Sequence, residues 1–243
     1  MILVIDVGNT RIKWGIHNGL GWRKQGVIGH DAVAHLAAPL RAVPKIRQAV
    51  ISSVADEKID AALQAVLDQL GIASRRVKAE KKTCGVSNGY AEAAQLGSDR
   101  WAALIAAWHN RRAACVVVSA GTALTVDALS SRGEFLGGLI VPGLSMMKAA
   151  LAANTAGVGP IDGQLHEFPA STGDAVHSGA LRAMAGAVES MRESLARREG
   201  AAPALLLAGG DAEALQAALS GTGEIVDNLV LEGLVLIAKE TPE

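Results

Sequence analysis

Apolar and polar positions divide the chain into strand-like runs and helix-like repeats. Met1 to Ile5 is an unbroken apolar run, Asp6 to Arg11 (DVGNTR) is polar with one glycine, and apolar residues resume from Ile12 to Ile16. This predicts a buried strand, a Gly8-Asn9 turn and a return strand, with Gly21 to Ile28 as a third antiparallel strand. A short alanine-rich helix capped by Asp31 and ending near Pro39 should follow. Next come a strand over Gln48 to Ser53, an amphipathic helix from about Asp56 to Leu70 stopped at Gly71, and a strand around Arg75 to Val77. Glu80 to Gly89 reads as a polar loop containing Cys84, and Gly97-Ser98-Asp99 opens a helix that runs through Trp108.

The pattern then restarts. Ala114 to Val118 predicts a buried strand, Ser119 to Thr122 a small-residue turn, Ala123 to Leu129 a return strand and Gly133 to Ile140 a third. From Leu144 the chain turns helical, Gly157 to Pro169 is a loop rich in Gly and Pro, and Thr172 opens a long helix through Arg197 with small residues at helical spacing. Pro203 to Asp211 is another strand-then-glycine unit, Asp211 should cap a helix to Leu219, and a last helix spans Leu229 to Lys239. Two domains, 1–112 and 113–243, are expected. Each is a three-stranded meander followed by alternating helices and strands, a duplicated α/β fold with a cleft between the halves.

Composition excludes several function classes. Half of the residues are hydrophobic but only 3% are aromatic, so the core is aliphatic and base-stacking surfaces are scarce. A formal charge of -1 and a pI near 6.6 offer no basic excess for a polyanion, which argues against a nucleic-acid partner. Cys84 and Cys115 form neither a CxxC motif nor a disulfide framework, in keeping with a reducing cytoplasm. The apolar start carries Asp6 and lacks a basic leader. The longest charge-free stretch, between Arg112 and Asp127, is shorter than the roughly 20 residues a membrane helix needs. A soluble protein with no membrane partner is expected.

The candidate chemistry lies in the loops. A carboxylate at the end of a buried strand, followed by Gly, Asn, Thr, Arg and Lys, suits a phosphate and its divalent cation, because backbone N–H groups, a hydroxyl and cationic side chains converge there. The plainer reading is a hairpin in which Asp6 and Asn9 only build the turn. Asp99 beside Arg100 at a loop-to-helix junction can bind and deprotonate a polar substrate, or Asp99 can be a helix cap. Thr172 likewise is a contact or a cap. Three strand-to-glycine loops, at Asp6 to Thr10, Ser119 to Thr122 and Ala208 to Asp211, suggest a nucleotide triphosphate gripped from two sides. Neither GxxxxGK[ST] nor GxGxxG occurs, which leaves the actin, Hsp70 and sugar-kinase arrangement.

Through nearly its whole length the chain resembles the type III pantothenate kinases, relatives of proteins called Bvg accessory factor. The resemblance rests on Asp6 to Lys13 (DVGNTRIK), Tyr90 with Leu96 to Arg100 (LGSDR), Gly121 to Thr125 (GTALT), Gly137 to Gly143 (GGLIVPG) and Thr172. It implies duplicated ribonuclease H-like domains of the actin/Hsp70/sugar-kinase superfamily, assembled as a homodimer. It also implies ATP-dependent phosphorylation of pantothenate to 4'-phosphopantothenate, the first step of coenzyme A biosynthesis. On this resemblance Asp6, Val7, Gly8, Asn9, Thr10, Arg11, Ile12 and Lys13 would form the ATP phosphate loop, with Asp6 serving the Mg2+-bound phosphates and Thr122 a second phosphate contact. Asp99 would be the general base, and Tyr90, Gly97, Ser98, Asp99, Arg100 and Thr172 would bind substrate, Arg100 pairing with the pantothenate carboxylate.

The sequence departs from the family at two places. Ser119 stands where most members carry an Asp that ligates a monovalent cation (K+ or NH4+), and a Pro expected near Ala93 is missing. A neutral hydroxyl does not replace a carboxylate's charge; Asp127, eight residues along on the return strand, either compensates or is a solvent-facing strand residue. Two other classes would make different demands on these residues. A nucleotide-binding accessory or regulatory protein would keep Asp6 and the glycine loops without needing Asp99 next to Arg100. A ribonuclease H-like nuclease would need a cluster of carboxylates for two metals, and Asp6 has no evident companions for it.

Overall fold

The computed structural model describes residues 1–43, 45–155 and 162–240. The chain starts with the expected meander: β1 (Ile2–Val7), β2 (Arg11–His17) and β3 (Trp22–Gly29) pair antiparallel in sequence order. A 3-10 segment, His30–Leu36, leads into α1 (Ala37–Arg41) and then β4 (Gln48–Ser53), which joins the free side of β1 in parallel. The helix α2 (Glu57–Gln69) is capped by Asp56, whose carboxylate accepts from Lys58 N at 2.7 Å, and Gly71 at φ +64° lets the chain turn back into β5 (Ala73–Arg76), parallel to β4. A small hairpin, β6 (Lys82–Thr83) and β7 (Val86–Asn88), precedes α3 (Ser98–Arg111). One face of the first sheet, with Leu3, Ile5, Val7, Ile12, Trp14 and Ile51, buries against Leu36, Leu63 and Leu67, which holds β1 and its loop on a rigid aliphatic layer.

The second unit repeats this plan. β8 (Cys115–Ala120), β9 (Ala123–Leu129) and β10 (Glu134–Pro142) form a second meander, followed by α4 (Leu144–Asn154), α5 (Thr172–Glu199), β11 (Ala204–Ala208), α6 (Ala212–Ala218) and β12 (Glu224–Ile225). The strand order β3-β2-β1-β4-β5 of the first unit is matched by β10-β9-β8-β11-β12 in the second, with the last two strands parallel in both. The duplication expected from the hydropathy pattern is present strand for strand. α5 is capped at its start by Ser171, whose Oγ accepts from Asp174 N at 3.1 Å, and at its end by Gly200 with φ +73°. Its buried face of Ala180, Leu181, Met184, Ala185 and Val188 packs on Val116, Val118 and Val126.

Several local expectations need correction. Asp31 does not cap a helix: the helical segment starts at His30 after Gly29, and it continues past Pro39 because that proline stands in the first turn of α1, where a missing N–H costs nothing. The polar loop from Glu80 to Gly89 is the β6–β7 hairpin, closed by Cys84 and Gly85 at φ +50° and +81°, the positive-φ pair a tight hairpin requires. Ser119 and Ala120 belong to β8 rather than to the turn after it. Part of the predicted Gly157 to Pro169 loop lies outside the described residues.

The largest difference concerns the C-terminus. The compact units are Met1–Asn110 together with the chain from Asn228 onward, and Arg111–Asp227. The last helix, α7 (Leu229–Lys239), thus packs with the first unit, whereas a boundary at 112 assigns it to the second. It crosses α3 where Gly233 meets the Ala102 backbone so closely that any side chain there would collide with the Ala102 carbonyl. No helix among the described residues is long and apolar enough to cross a membrane.

Candidate functional site

The first unit's site is built at the C-terminal ends of β1 and β4, where open α/β sheets place their ligands. Asp6 is the last polar residue of β1, opposite Lys13 on β2 and opposite Ser52 on β4. Directly paired residues of neighbouring strands share a face, so Lys13, Asp6 and Ser52 stand side by side on the sheet surface away from the Leu3–Ile5 core. Ser52 Oγ is hydrogen-bonded to Ser98 Oγ at 2.9 Å in a buried contact, which docks the start of α3 beside the strand end that carries Asp6.

Asp99 is therefore brought near Asp6, and it is not the helix cap. Gly97 accepts the first helical bond from Trp101 N at 2.9 Å, so Ser98 and Asp99 are the first two helical residues. The Asp99 carboxylate folds back over Gly97, where a Cβ would lie 2.6 Å from its Oδ1, so a glycine is required for this approach. Burial, and after it the nearby Asp99 charge, push the Asp6 pKa from 3.8 up to about 7, against the lowering pull of Lys13. Two carboxylates beside one lysine at this strand end concentrate negative charge that a cation would relieve.

The loop after Asp6 is a tight turn. Gly8 N donates to Arg11 O at 3.1 Å, and Asn9, Thr10 and Arg11 are exposed at its tip. His30 Nε2 lies 2.9 Å from the Gly8 carbonyl. α3 is buried on nearly all sides from Arg100 to Trp108, and Arg100 itself is only 6% exposed. Its Nη1 donates to Tyr90 Oη at 3.5 Å, with the guanidinium 6.0 Å from the ring centre. The Tyr90 backbone is held in turn: Asn88, buried, accepts from Tyr90 N at 3.0 Å, and Lys81 Nζ donates to the Tyr90 and Ala91 carbonyls at 2.9 Å each.

In the second unit Thr122 is exposed at the β8–β9 turn, and the remaining glycine loops gather behind it. Gly143 N donates to Thr122 O at 3.0 Å, and a side chain at Gly143 would strike the Gly121 and Thr122 carbonyls. Gly209, at φ +104°, lies against the Ala120 carbonyl, which also accepts from Asp211 N at 3.1 Å. Thr172 is the first residue of α5, with Ser171 as the cap, so the cap reading of Thr172 falls away. It lines an apolar groove of about 720 Å³ together with Pro142, Met146, Met147, Leu151 and Val176. Ser119 is opposite Thr125, and the buried Asp127 stands on the same sheet face opposite Val117, one step along β9. No group of three or more His, Cys, Asp or Glu side chains suited to a metal ion occurs among the described residues.

A family model described as type III pantothenate kinase matches residues 2–194. The chain belongs to the type III pantothenate kinase family. Relatives named type III pantothenate kinase include one from Nitrosospira multiformis, 46% identical over 243 residues covering 100% of this chain and 93% of the relative. Another from Aromatoleum aromaticum is 46% identical over 240 residues, covering 99% and 98%. Among solved structures, a Campylobacter jejuni protein described as a Baf family transcriptional activator superposes with a TM-score of 0.62 at 22% identity, covering 98% and 97% of the two chains. The ethanolamine utilization protein EutJ of Carboxydothermus hydrogenoformans gives 0.56 at 14% identity, covering 97% and 89%. At these identities the likenesses show a shared fold and nothing further.

Within this family's chain, sequence patterns find Asp6, Lys13, Asp99 and Arg100, and the structure brings the first three together around one strand end. They miss Ser52, His30, Asn88 and Lys81. The end of a strand parallel to β1 was the available signal for Ser52, whereas the other three are recognised only by the carbonyl or amide they hold.

Proposed function

We propose that the protein transfers the γ-phosphoryl group of ATP to the hydroxyl of pantothenate, giving 4'-phosphopantothenate and ADP, the first step towards coenzyme A. The observation that carries this reading is the full-length relation to proteins named type III pantothenate kinase, joined to the placement of Asp6, Lys13 and Asp99 at one strand end. Asp99 takes the hydroxyl proton, the freed oxygen forms its bond to the γ-phosphorus, and the bond to the β–γ bridging oxygen breaks with ADP as leaving group. Residues Asp6 to Lys13 receive the phosphates with Thr122, and Arg100, steadied by Tyr90, pairs with the pantothenate carboxylate; Gly97, Ser98 and Thr172 complete the substrate contacts. Mg2+ entering with the nucleotide would offset the phosphate charge. Asp6 fits it, as a carboxylate whose ionisation is opposed by burial and by Asp99 and would be favoured by a divalent cation. The purified protein should consume ATP only when pantothenate is supplied, and mass spectrometry of the product should show one added phosphate. ATP turnover indifferent to pantothenate would overturn the reading. The accessory-protein alternative is disfavoured by the names of relatives this similar over the full chain.

The monovalent-cation requirement is expected to be weaker than the family's, because Ser119 brings no charge and Asp127 stands two residue pairs away on the neighbouring strand. Rates measured in sodium, potassium and cation-poor buffer should differ little. Strict potassium dependence that persists in Ser119→Ala would place the cation elsewhere.

A cytoplasmic homodimer belongs to the same proposal. The apolar groove along α4 and α5, with Met146 and Leu151 exposed, is the surface that supports it. Sedimentation at micromolar concentration should give twice the chain mass, and an active monomer would refute the dimer.

A further inference from the structure

We propose that His30 is a positioning residue for the phosphate loop, fixing the Gly8–Asn9 peptide in the orientation that receives ATP. The inference rests on the reading of residues 8–11 as phosphate-binding. In the meander, Arg11 pairs with Gly29, so the next residue after β3 arrives beside the turn, and His30 Nε2 meets the Gly8 carbonyl at 2.9 Å. A carbonyl only accepts, so Nε2 carries the proton and donates. The amide of Gly8 is already engaged by Arg11 O at 3.1 Å, and the imidazole thus holds the remaining polar group of this residue.

The physical consequence follows from peptide planarity. In a trans peptide the N–H of Asn9 points opposite to the Gly8 carbonyl, so turning that carbonyl towards the imidazole turns the Asn9 N–H away from it, as a donor. Glycine at position 8 makes the opposite orientation accessible at little cost. A reversed peptide would present a carbonyl oxygen where a donor is wanted, and an oxygen dipole would repel an anionic phosphate. The histidine bond selects between the two orientations before the nucleotide arrives.

The test uses His30→Ala, His30→Gln and His30→Asn, with KM values from kinase assays and calorimetric binding of MgADP and of adenosine, which has no phosphate. His30→Ala should raise the ATP KM and the MgADP Kd about five- to tenfold, the loss of one preorganising hydrogen bond. Adenosine binding, the pantothenate KM and the melting temperature should stay close to wild type. Gln, with a donor at similar reach, should recover most of the nucleotide affinity, and the shorter Asn should not. Wild-type nucleotide affinity in folded His30→Ala would overturn the inference, as would parallel weakening of adenosine and pantothenate, or equal impairment of Ala and Gln. Failure of the wild-type protein to bind MgADP would instead overturn the phosphate-loop reading, and this inference with it.

Discussion

Asp99→Asn should lower kcat by roughly 10² to 10⁴ while leaving the KM for ATP nearly unchanged, the signature of a lost general base. The structure sharpens this expectation because Asp99 is the second residue of α3 rather than its cap, and Gly97 takes the capping position. Replacing the carboxylate by an amide there forfeits only a favourable interaction with the helix N-terminus, about 0.3–1 kcal/mol. Stability should therefore barely move while turnover collapses. A second readout comes from Asp6, whose acidity is opposed by the Asp99 charge. Asp99→Asn should lower the Asp6 pKa, which carboxyl-labelled NMR can follow. Arg100→Ala should behave differently, raising the pantothenate KM and also costing stability, because the side chain is buried against Tyr90. Near-normal turnover in Asp99→Asn would remove its catalytic role, whatever happens to the Asp6 titration.

Asp6→Asn should reduce turnover by roughly 10³-fold or more and at the same time stabilise the ligand-free protein at alkaline pH. The first effect follows from removing a full charge at the strand end assigned to the magnesium-bound phosphates. The second follows from linkage. The folded-state pKa is raised from 3.8 to about 7, so the folded protein holds a proton that the unfolded chain has released. Stability from this group is fully present below pH about 4 and is lost as pH rises through about 7. Three pKa units, in which the pull of Lys13 is already included, correspond to about 4 kcal/mol, so Asp6→Asn should gain on the order of 4 kcal/mol at pH 8 and little at pH 4. Chemical denaturation of both proteins across that range measures it. MgATP should stabilise wild type far more than Asp6→Asn, since only wild type presents the carboxylate. A pH-independent stability difference would mean that Asp6 ionises normally in the folded state.

Much of this protein is determined by local pattern. The unbroken apolar run before Asp6, the polar turn and the resumed alternation specify a hairpin, and their recurrence at Cys115 to Leu129 specifies a duplication, because strand period and turn chemistry act over a few residues. The same locality explains why the DVGNTRIK and LGSDR stretches already mark Asp6, Lys13 and Asp99 as candidates. It fails where a short segment has two acceptable conformations. Glu80 to Gly89 is polar enough for a loop, yet Cys84 and Gly85 adopt the positive φ values of a tight hairpin.

Only the tertiary structure decided how those candidates act on one another. Ser52 reaches Asp6 because β4 pairs in parallel with β1, and Ser98 reaches Ser52 across 46 residues of sequence. Neither contact is encoded by the spacing of neighbouring residues. The raised acidity of Asp6 is likewise a property of burial and of a second carboxylate delivered by α3, and His30 matters because β3 ends beside Gly8. The return of α7 to the first unit depends on Gly233 fitting against Ala102, a close backbone approach that no periodicity of α7 alone reveals. Elements come from short-range preferences, whereas the electrostatics of the site come from long-range packing that fixes which charges must share a small, partly dry space.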